Sequence, residues 1–209
     1  MWYGDWRGGN LRMVLTGCRP PEDSEAAVKK SDKPMVIRRP ALSDGVRMFD
    51  LIQASENLDK NSLYMYLLLC RDFSSTCRIA EIDSRLAGLV TAYLPSHQPK
   101  LVFVWQVAVA KEFRGRGVAL TMLTDLVAGL AASDPWLLQT TITPSNTASQ
   151  RLFEALARKF HAPISSTDGF HRNLFEPYQH ETESLYTIGP IASVCEEGGP
   201  DPTSKQAAS

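Results

Sequence analysis

Apolar and polar positions change their period several times along this chain, and each change marks an element. The string MVIRRPA, opening at Met35, predicts a first strand. DGVRMFDLIQAS follows Ser43, a good helix N-cap, and places Val46, Phe49, Leu51 and Ile52 near one face, which predicts a helix; a second is expected from Ser62 to Cys70. TCRIAEID and RLAGLVTAYL are β-rich runs separated by Asp83-Ser84, the pattern of an antiparallel hairpin. The run LVFVWQVAVA, Leu101 to Ala110, is apolar on both alternating faces, as in a central strand covered on both sides. Ala119, Met122, Leu123, Leu126 and Leu130 then recur at helical spacing, and Asp134-Pro135 closes that segment. WLLQTTIT predicts another strand, Pro144 with Ser145-Asn146 starts a helix carrying Ala148, Leu152, Leu156 and Phe160, and SLYTIG, Ser184 to Gly189, a last strand. The order β-α-α-β-β-β-α-β-α-β implies an α/β (α+β) fold, a mixed central β-sheet with helices on both faces.

Composition narrows the picture. With 209 residues, 44% hydrophobic, the chain can bury one sizeable core. Before Met35 and after Pro190 the sequence is rich in Gly, Pro, Ser and charge with no sustained period. Residues 1–34 and 191–209 are therefore expected to be disordered extensions around a domain at 35–190. A formal net charge of -1 and the absence of any Lys/Arg run longer than two residues argue against nucleic acid as a partner. No apolar run approaches the roughly 20 residues of a membrane span, and LTGC, Leu15 to Cys18, lacks the apolar segment of a signal peptide, so no membrane partner is expected. Cys18, Cys70, Cys77 and Cys195 include no CxxC pair; reduced thiols and no metal site are expected.

The candidate chemistry centres on RGRGVA, Arg114 to Ala119, where a strand meets a helix. A dinucleotide fingerprint needs a third glycine where Leu120 stands, and no G-x-x-x-x-G-K-[ST] string exists, so both nucleotide readings fail. What remains is an anion site: helix amides without intrahelical partners, the helix dipole, two arginines, and glycines that let a phosphate approach the backbone. On spacing alone, a plain strand-to-helix turn with solvated arginines fits equally.

R-x-x-G-x-A after VWQVAV and before an amphipathic helix resembles the pyrophosphate-binding motif of the GNAT acetyltransferase superfamily, and LLQTTIT followed by SNTASQRLFEAL resembles that family's next strand and helix. The strings LDKNSLYMYLLLCRDFSSTC, TTITPSNTASQRLF and HETESLYTI are similar to the branch that acetylates L-2,4-diaminobutyrate in ectoine biosynthesis. The resemblance implies acetyl-CoA as co-substrate, with its pyrophosphate on Arg114, Gly115, Arg116, Gly117, Val118 and Ala119. It implies pantetheine along the strand Gln106, Val107, Ala108 and Val109 and near Asn146, with the Val107 N–H polarising the thioester carbonyl. The acceptor, a small diamino acid, is expected at Asp59, Tyr64, Trp105, Thr141 and His180; for His180 and Glu183, ordering a loop or plain exposure stay open as alternatives. For Asp59 a cap of the helix from Ser62 is the alternative reading, with substrate contact favoured by the resemblance; Trp105 fits core packing equally. Many relatives place a tyrosine acid where this chain has Phe153, leaving Tyr178 and Tyr186 as unplaced candidates; Gln139 is an amide that cannot act as a base. A cytoplasmic homodimer is expected. An acetyltransferase for another amine and a non-catalytic acyl-CoA-binding regulator stay open as alternatives.

Overall fold

A β-hairpin turn shows how locally this chain encodes its sheet. Asp83 and Ser84 have φ of 54° and 60°, the pair of left-handed residues that a two-residue turn needs to match strand twist. The turn joins β2 (Arg78–Ile82) to β3 (Arg85–Tyr93) as expected. In this computed structural model residues 34–55, 58–130 and 136–191 are described; the extensions expected over 1–34 and 191–209, save Pro34 and Ile191, and the Asp134-Pro135 stop lie outside them.

The remaining strands are β1 (Val36–Arg38), β4 (Leu101–Val109), β5 (Trp136–Ile142), β6 (Ile164–Phe170) and β7 (Glu183–Ile191), in the order β1-β2-β3-β4-β5-β7-β6. Every pairing is antiparallel except β4 with β5. The helices are α1 (Gly45–Gln53), α2 (Leu63–Asp72), α3 (Val118–Leu130) and α4 (Thr147–Lys159). Strand alternation separates two cores. Ile79, Leu89 and Ala108 meet Met48, Ile52, Tyr66 and Leu69 of α1 and α2. Ala80, Ile82, Val90 and Val102 meet Met122 and Leu126 of α3 and Phe153 and Leu156 of α4 on the other face. The mixed sheet covered on both faces is the expected architecture.

Three local readings need correction. Strand β6, ISSTDGF, went unread because it is an edge strand whose side chains are nearly all exposed, so no apolar alternation marks it. It bends at Asp168/Phe170, where a Cβ on Gly169 would stand 2.3 Å from the Glu183 carbonyl oxygen, leaving room for glycine alone. Ser43 does not cap α1. It lies in a 3₁₀ turn (Leu42–Asp44), and Asp44 is the capping position. The α1 stripe is also rotated: Met48 and Ile52 are buried, while Val46 is exposed.

Asp44 is buried and accepts from the Ala41 N–H at 2.8 Å, from Arg38 at 2.6 and 3.0 Å, and from Arg47 at 3.0 Å. Glu81 on β2 accepts from the same two arginines at 2.8 Å each, tying β1, α1 and β2 together. Hydrogen bonds from Arg38 hold the Asp44 carboxyl below its ordinary range, and Arg38 and then Arg47 do the same for Glu81. Carboxylates with lowered folded pKa values stabilise above their unfolded values of about 4, and that stability is lost as pH falls through the folded ones. Asp44→Asn is expected to cost about 2 kcal/mol at pH 7, and its thermal midpoint to fall less steeply than that of the unsubstituted protein below about pH 4. Calorimetry across pH checks both.

Candidate active site

The site opens where two strands part. Strands β4 and β5 pair only through Leu101↔Leu137, Val102↔Leu138 and Phe103↔Gln139. Past Phe103 a gap opens, and a cavity of about 790 Å³ fills it, lined by Trp105, Gln106 and Val107 of β4, Thr140 to Thr143 of β5 and beyond, and Asn146, Ser149 and Phe153 of α4. The Ala110 N–H donates to the Ala87 carbonyl at 2.9 Å, which makes Ala87/Ala110 a hydrogen-bonded pair of the β3–β4 ladder. Alternation then makes Val90/Val107 a non-bonded pair, so the N–H and C=O of Val107 face the gap.

The β3–β4 register also shifts: Thr91 stands opposite Gln106 but Ala92 opposite Val104, leaving Trp105 as an extra residue. This β-bulge re-phases the strand. Val104 and Val107 share the α3/α4 face, while Gln106 and Ala108 turn toward α1 and α2. The apolar run LVFVWQVAVA is therefore not evenly covered. Trp105 is 37% exposed and lines the cavity, so of its two sequence readings the wall is the one its position matches.

At the end of β4 the chain makes a 3₁₀ turn (Lys111–Phe113) and enters the glycine loop. Gly115 and Gly117 have φ of 71° and 75°, and a Cβ on either would meet nothing within 4 Å. Both glycines thus satisfy a left-handed backbone and leave open space above it. The Thr121 N–H bonds the Gly117 carbonyl at 3.0 Å, the first rung of α3, so the amides of Val118, Ala119 and Leu120 precede the ladder. Arg114 Nε donates to the Val109 carbonyl at 3.2 Å, and the Arg116 guanidinium lies 5.7 Å from the Phe113 ring centroid. Oriented amides, a helix N-terminus and two arginines form a cradle around open space, a geometry that suits an anion.

Asp59 lines the cavity from the segment before α2. The cap of that helix is Ser62, whose Oγ accepts from the Met65 N–H at 3.4 Å, so the alternative reading of Asp59 as that cap does not hold. Thr141, Asn146 and His180 also line the cavity, whereas Tyr64, 67% exposed, does not. Asn146 caps α4, its Oδ1 accepting from the Ser149 N–H at 3.1 Å, which fixes the orientation of its amide. His180 stacks on Phe175 with centroids 4.1 Å apart. Its Nδ1 lies 2.7 Å from the Glu181 carbonyl, which can only accept, so Nδ1 carries the proton and Nε2 faces Glu183 Oε1 at 3.7 Å. Glu181 in turn accepts from the N–H and hydroxyl of Ser145, pinning the 3₁₀-containing segment from 171 to 182 beside the α4 cap.

Residues 46–157 match the acetyltransferase (GNAT) family. The chain belongs to the GNAT acetyltransferase family. The L-2,4-diaminobutyric acid acetyltransferase of Halalkalibacterium halodurans is 37% identical over 186 residues, which cover 89% of this chain and 94% of that protein. That of Nocardia farcinica is 40% identical over 174 residues, covering 82% and 90%. The structure of diaminobutyrate acetyltransferase from Paenibacillus lautus, in complex with L-2,4-diaminobutyric acid and coenzyme A, is 39% identical and superposes with a TM-score of 0.70, covering 76% of this chain and 96% of that one.

Within this GNAT acetyltransferase, the tyrosines named as unplaced acids stay away from the gap: Tyr178 is 80% exposed, and neither it nor Tyr186 lines the cavity. Phe153 does line it, and Gln139 instead donates to the Thr187 hydroxyl at 3.0 Å. The tyrosine that does line the cavity is Tyr93, its ring 5.3 Å from that of Phe103. The sequence reading gave Tyr66 no role and placed Gln106 only in the strand expected along pantetheine, whereas its N–H bonds Thr91 on β3 and its side chain turns to Tyr66. Tyr66 is fully buried, burial pushes its phenol above its ordinary range, and its hydroxyl donates to Gln106 Oε1 at 3.0 Å. A polar residue inside the otherwise apolar LVFVWQVAVA was the available signal. Among the described residues no three His, Cys, Asp or Glu side chains gather as a metal site, and no helix is long and apolar enough to cross a membrane. Cys70 and Cys77 are free and buried, and burial pushes both thiols up to about 11.

Proposed function

We propose that this protein transfers the acetyl group of acetyl-CoA to the 4-amino group of L-2,4-diaminobutyrate, giving the N4-acetyl product that serves ectoine formation. The observation that carries the reading is a single cavity that joins the β4–β5 gap, with the Val107 amide facing it, to Asp59 and His180 in its lining. The near full-length match to relatives that bear this activity in their names supports the same acceptor.

Acetyl-CoA supplies an activated acyl group and a thiolate leaving group. Its fit is supported by the open, left-handed glycines Gly115 and Gly117 and by the end of β4–β5 pairing at Phe103. The amides of the Arg114 to Ala119 loop, with the two arginines, would hold the pyrophosphate through charge-assisted hydrogen bonds. The exposed edge of β4, Val107 to Val109, would pair with the pantetheine amides, and the Asn146 amide would contact the same arm. The Val107 N–H would donate to the thioester carbonyl oxygen, where negative charge grows during attack.

Only a neutral amine attacks, and an alkylammonium has a pKa of about 10.4 in water. The apolar side of the cavity, Phe103, Trp105 and Phe153, disfavours the charged form, and His180 Nε2 beside Glu183 offers a base for its proton. Asp59 would hold the other ammonium, and Thr141 and Trp105 complete the wall. Tyr64, outside the lining, is assigned no contact. The reading carries with it a cytoplasmic location and a homodimer, for which light scattering should give about twice the chain mass of 23.2 kDa.

Thiol release from acetyl-CoA decides the assignment when measured with diaminobutyrate, ornithine, lysine and spermidine. Diaminobutyrate is expected to have the highest kcat/KM, by at least tenfold over ornithine, with NMR placing the acetyl on N4. Preference for spermidine or a peptide N-terminus would make this an enzyme for another amine. Acetyl-CoA binding without transfer to any amine would make it a regulator.

A further inference from the structure

Gln106 is a polar side chain in the middle of an apolar strand, 4% exposed, and the bulge at Trp105 is what turns it toward α2. Its carboxamide is used at both ends. Oε1 accepts from the Tyr66 hydroxyl at 3.0 Å, and Nε2 donates to the backbone carbonyl of Asp59 at 3.0 Å. Its own N–H donates to the Thr91 hydroxyl at 3.1 Å, so the bulge is tied to β3 as well. Tyr66 is immobilised in turn, fully buried and packed edge-on to Phe49 with centroids 6.2 Å apart. Asp59 belongs to no helix or strand, is exposed, and is itself one of the residues that line the cavity, so the carbonyl that Gln106 holds belongs to the cavity wall. The neighbours of Gln106 on either side, Trp105 and Val107, line the same cavity. One side chain therefore connects the acceptor end of the site to the strand that presents the transfer end.

We propose that Gln106 is a positioning residue that sets the separation between Asp59 and the Val107 amide, and thereby selects the acceptor by the spacing of its two amino groups. The proposal rests on the acceptor reading above, in which Asp59 holds one ammonium while the other attacks. Diaminobutyrate and ornithine differ by one methylene between those groups, a difference a shaped site can turn into roughly 10 to 200-fold discrimination. The same discrimination is lost when the anchor drifts, because a misplacement of about 1 Å can cost on the order of 100-fold in rate.

Two variants separate positioning from simple burial of an amide. Gln106→Glu keeps an acceptor for the Tyr66 hydroxyl, loses the donor to the Asp59 carbonyl, and sets a carboxylate against that carbonyl. Tyr66→Phe keeps Gln106 and removes the contact that orients it, together with the hydrogen bond between Tyr66 and Asn61, so the acceptor ratio and not exchange at residue 61 is its readout. For Gln106→Glu the KM for diaminobutyrate is expected to rise at least tenfold, the KM for acetyl-CoA to stay within about twofold, and the diaminobutyrate-to-ornithine ratio of kcat/KM to fall at least fivefold. Tyr66→Phe should shift the ratio in the same direction by less, and hydrogen exchange at the amides of residues 58–61 should quicken in Gln106→Glu. If Gln106→Glu fails to fold, the ratio in Tyr66→Phe decides alone. An unchanged ratio with a lowered thermal midpoint overturns the proposal and leaves Gln106 a structural amide. An unsubstituted enzyme that prefers another amine overturns the acceptor reading instead, and the ratio of that amine to its next homologue then tests Gln106 by itself.

Discussion

Replacing Gly117 by valine is expected to raise the acetyl-CoA KM at least a hundredfold while leaving the protein folded. Two effects act together. Gly117 holds φ of 75°, where a residue with a Cβ costs roughly 1 to 2 kcal/mol and a β-branched one is poorly tolerated. The space above it, open to 4 Å, is where the cradle would receive phosphate, and a branched side chain fills it. Losing two charge-assisted hydrogen bonds of about 1.5 to 3 kcal/mol each corresponds to more than a hundredfold in affinity. Isothermal calorimetry with CoA reads the loss directly. Gly117→Ala should show an intermediate loss, since it carries the backbone cost with less bulk. A binding constant for CoA unchanged in the valine variant would remove the pyrophosphate from this loop.

Asp59→Asn should raise the KM for diaminobutyrate between ten and a hundredfold, the equivalent of one charge-assisted contact at about 1.5 to 3 kcal/mol. The acetyl-CoA KM should stay within twofold, because the cradle lies on other elements. Thermal stability should change by less than about 0.5 kcal/mol, since Ser62, and not Asp59, caps α2. The KM split and the melting curve together separate the two roles this carboxylate was open to. A large stability loss with unchanged KM values would return Asp59 to a structural role.

Much of the fold was legible because its elements carry strong local signals. The hairpin at Asp83-Ser84, the apolar repeat of α3 and the Asn146 start of α4 all appear where spacing put them. Strand β6 was illegible for the opposite reason: an edge strand that buries almost nothing needs no apolar pattern, and its partner supplies the order. The left-handed glycines and the helix start of RGRGVA were legible because both are local facts. The loop's phosphate could not be named from spacing, and resemblance to the GNAT family supplied that step.

The acceptor side was legible only in part. Asp59, Trp105, Thr141 and His180 meet at one cavity, but Tyr64 falls outside it, and the polar pair that braces the wall is Tyr66 with Gln106. The strings that held these residues say nothing about which way each points. The sequence by itself determined the elements, the left-handed glycines and the residue types available for acyl transfer, since these depend on contacts within a few residues. Tertiary structure alone decided where β4 parts from β5, that a bulge at Trp105 reverses the facing of Gln106, and which tyrosine reaches the site. Those outcomes depend on register between strands and on helices distant in sequence, and a shift of one residue in register exchanges every inward side chain for an outward one.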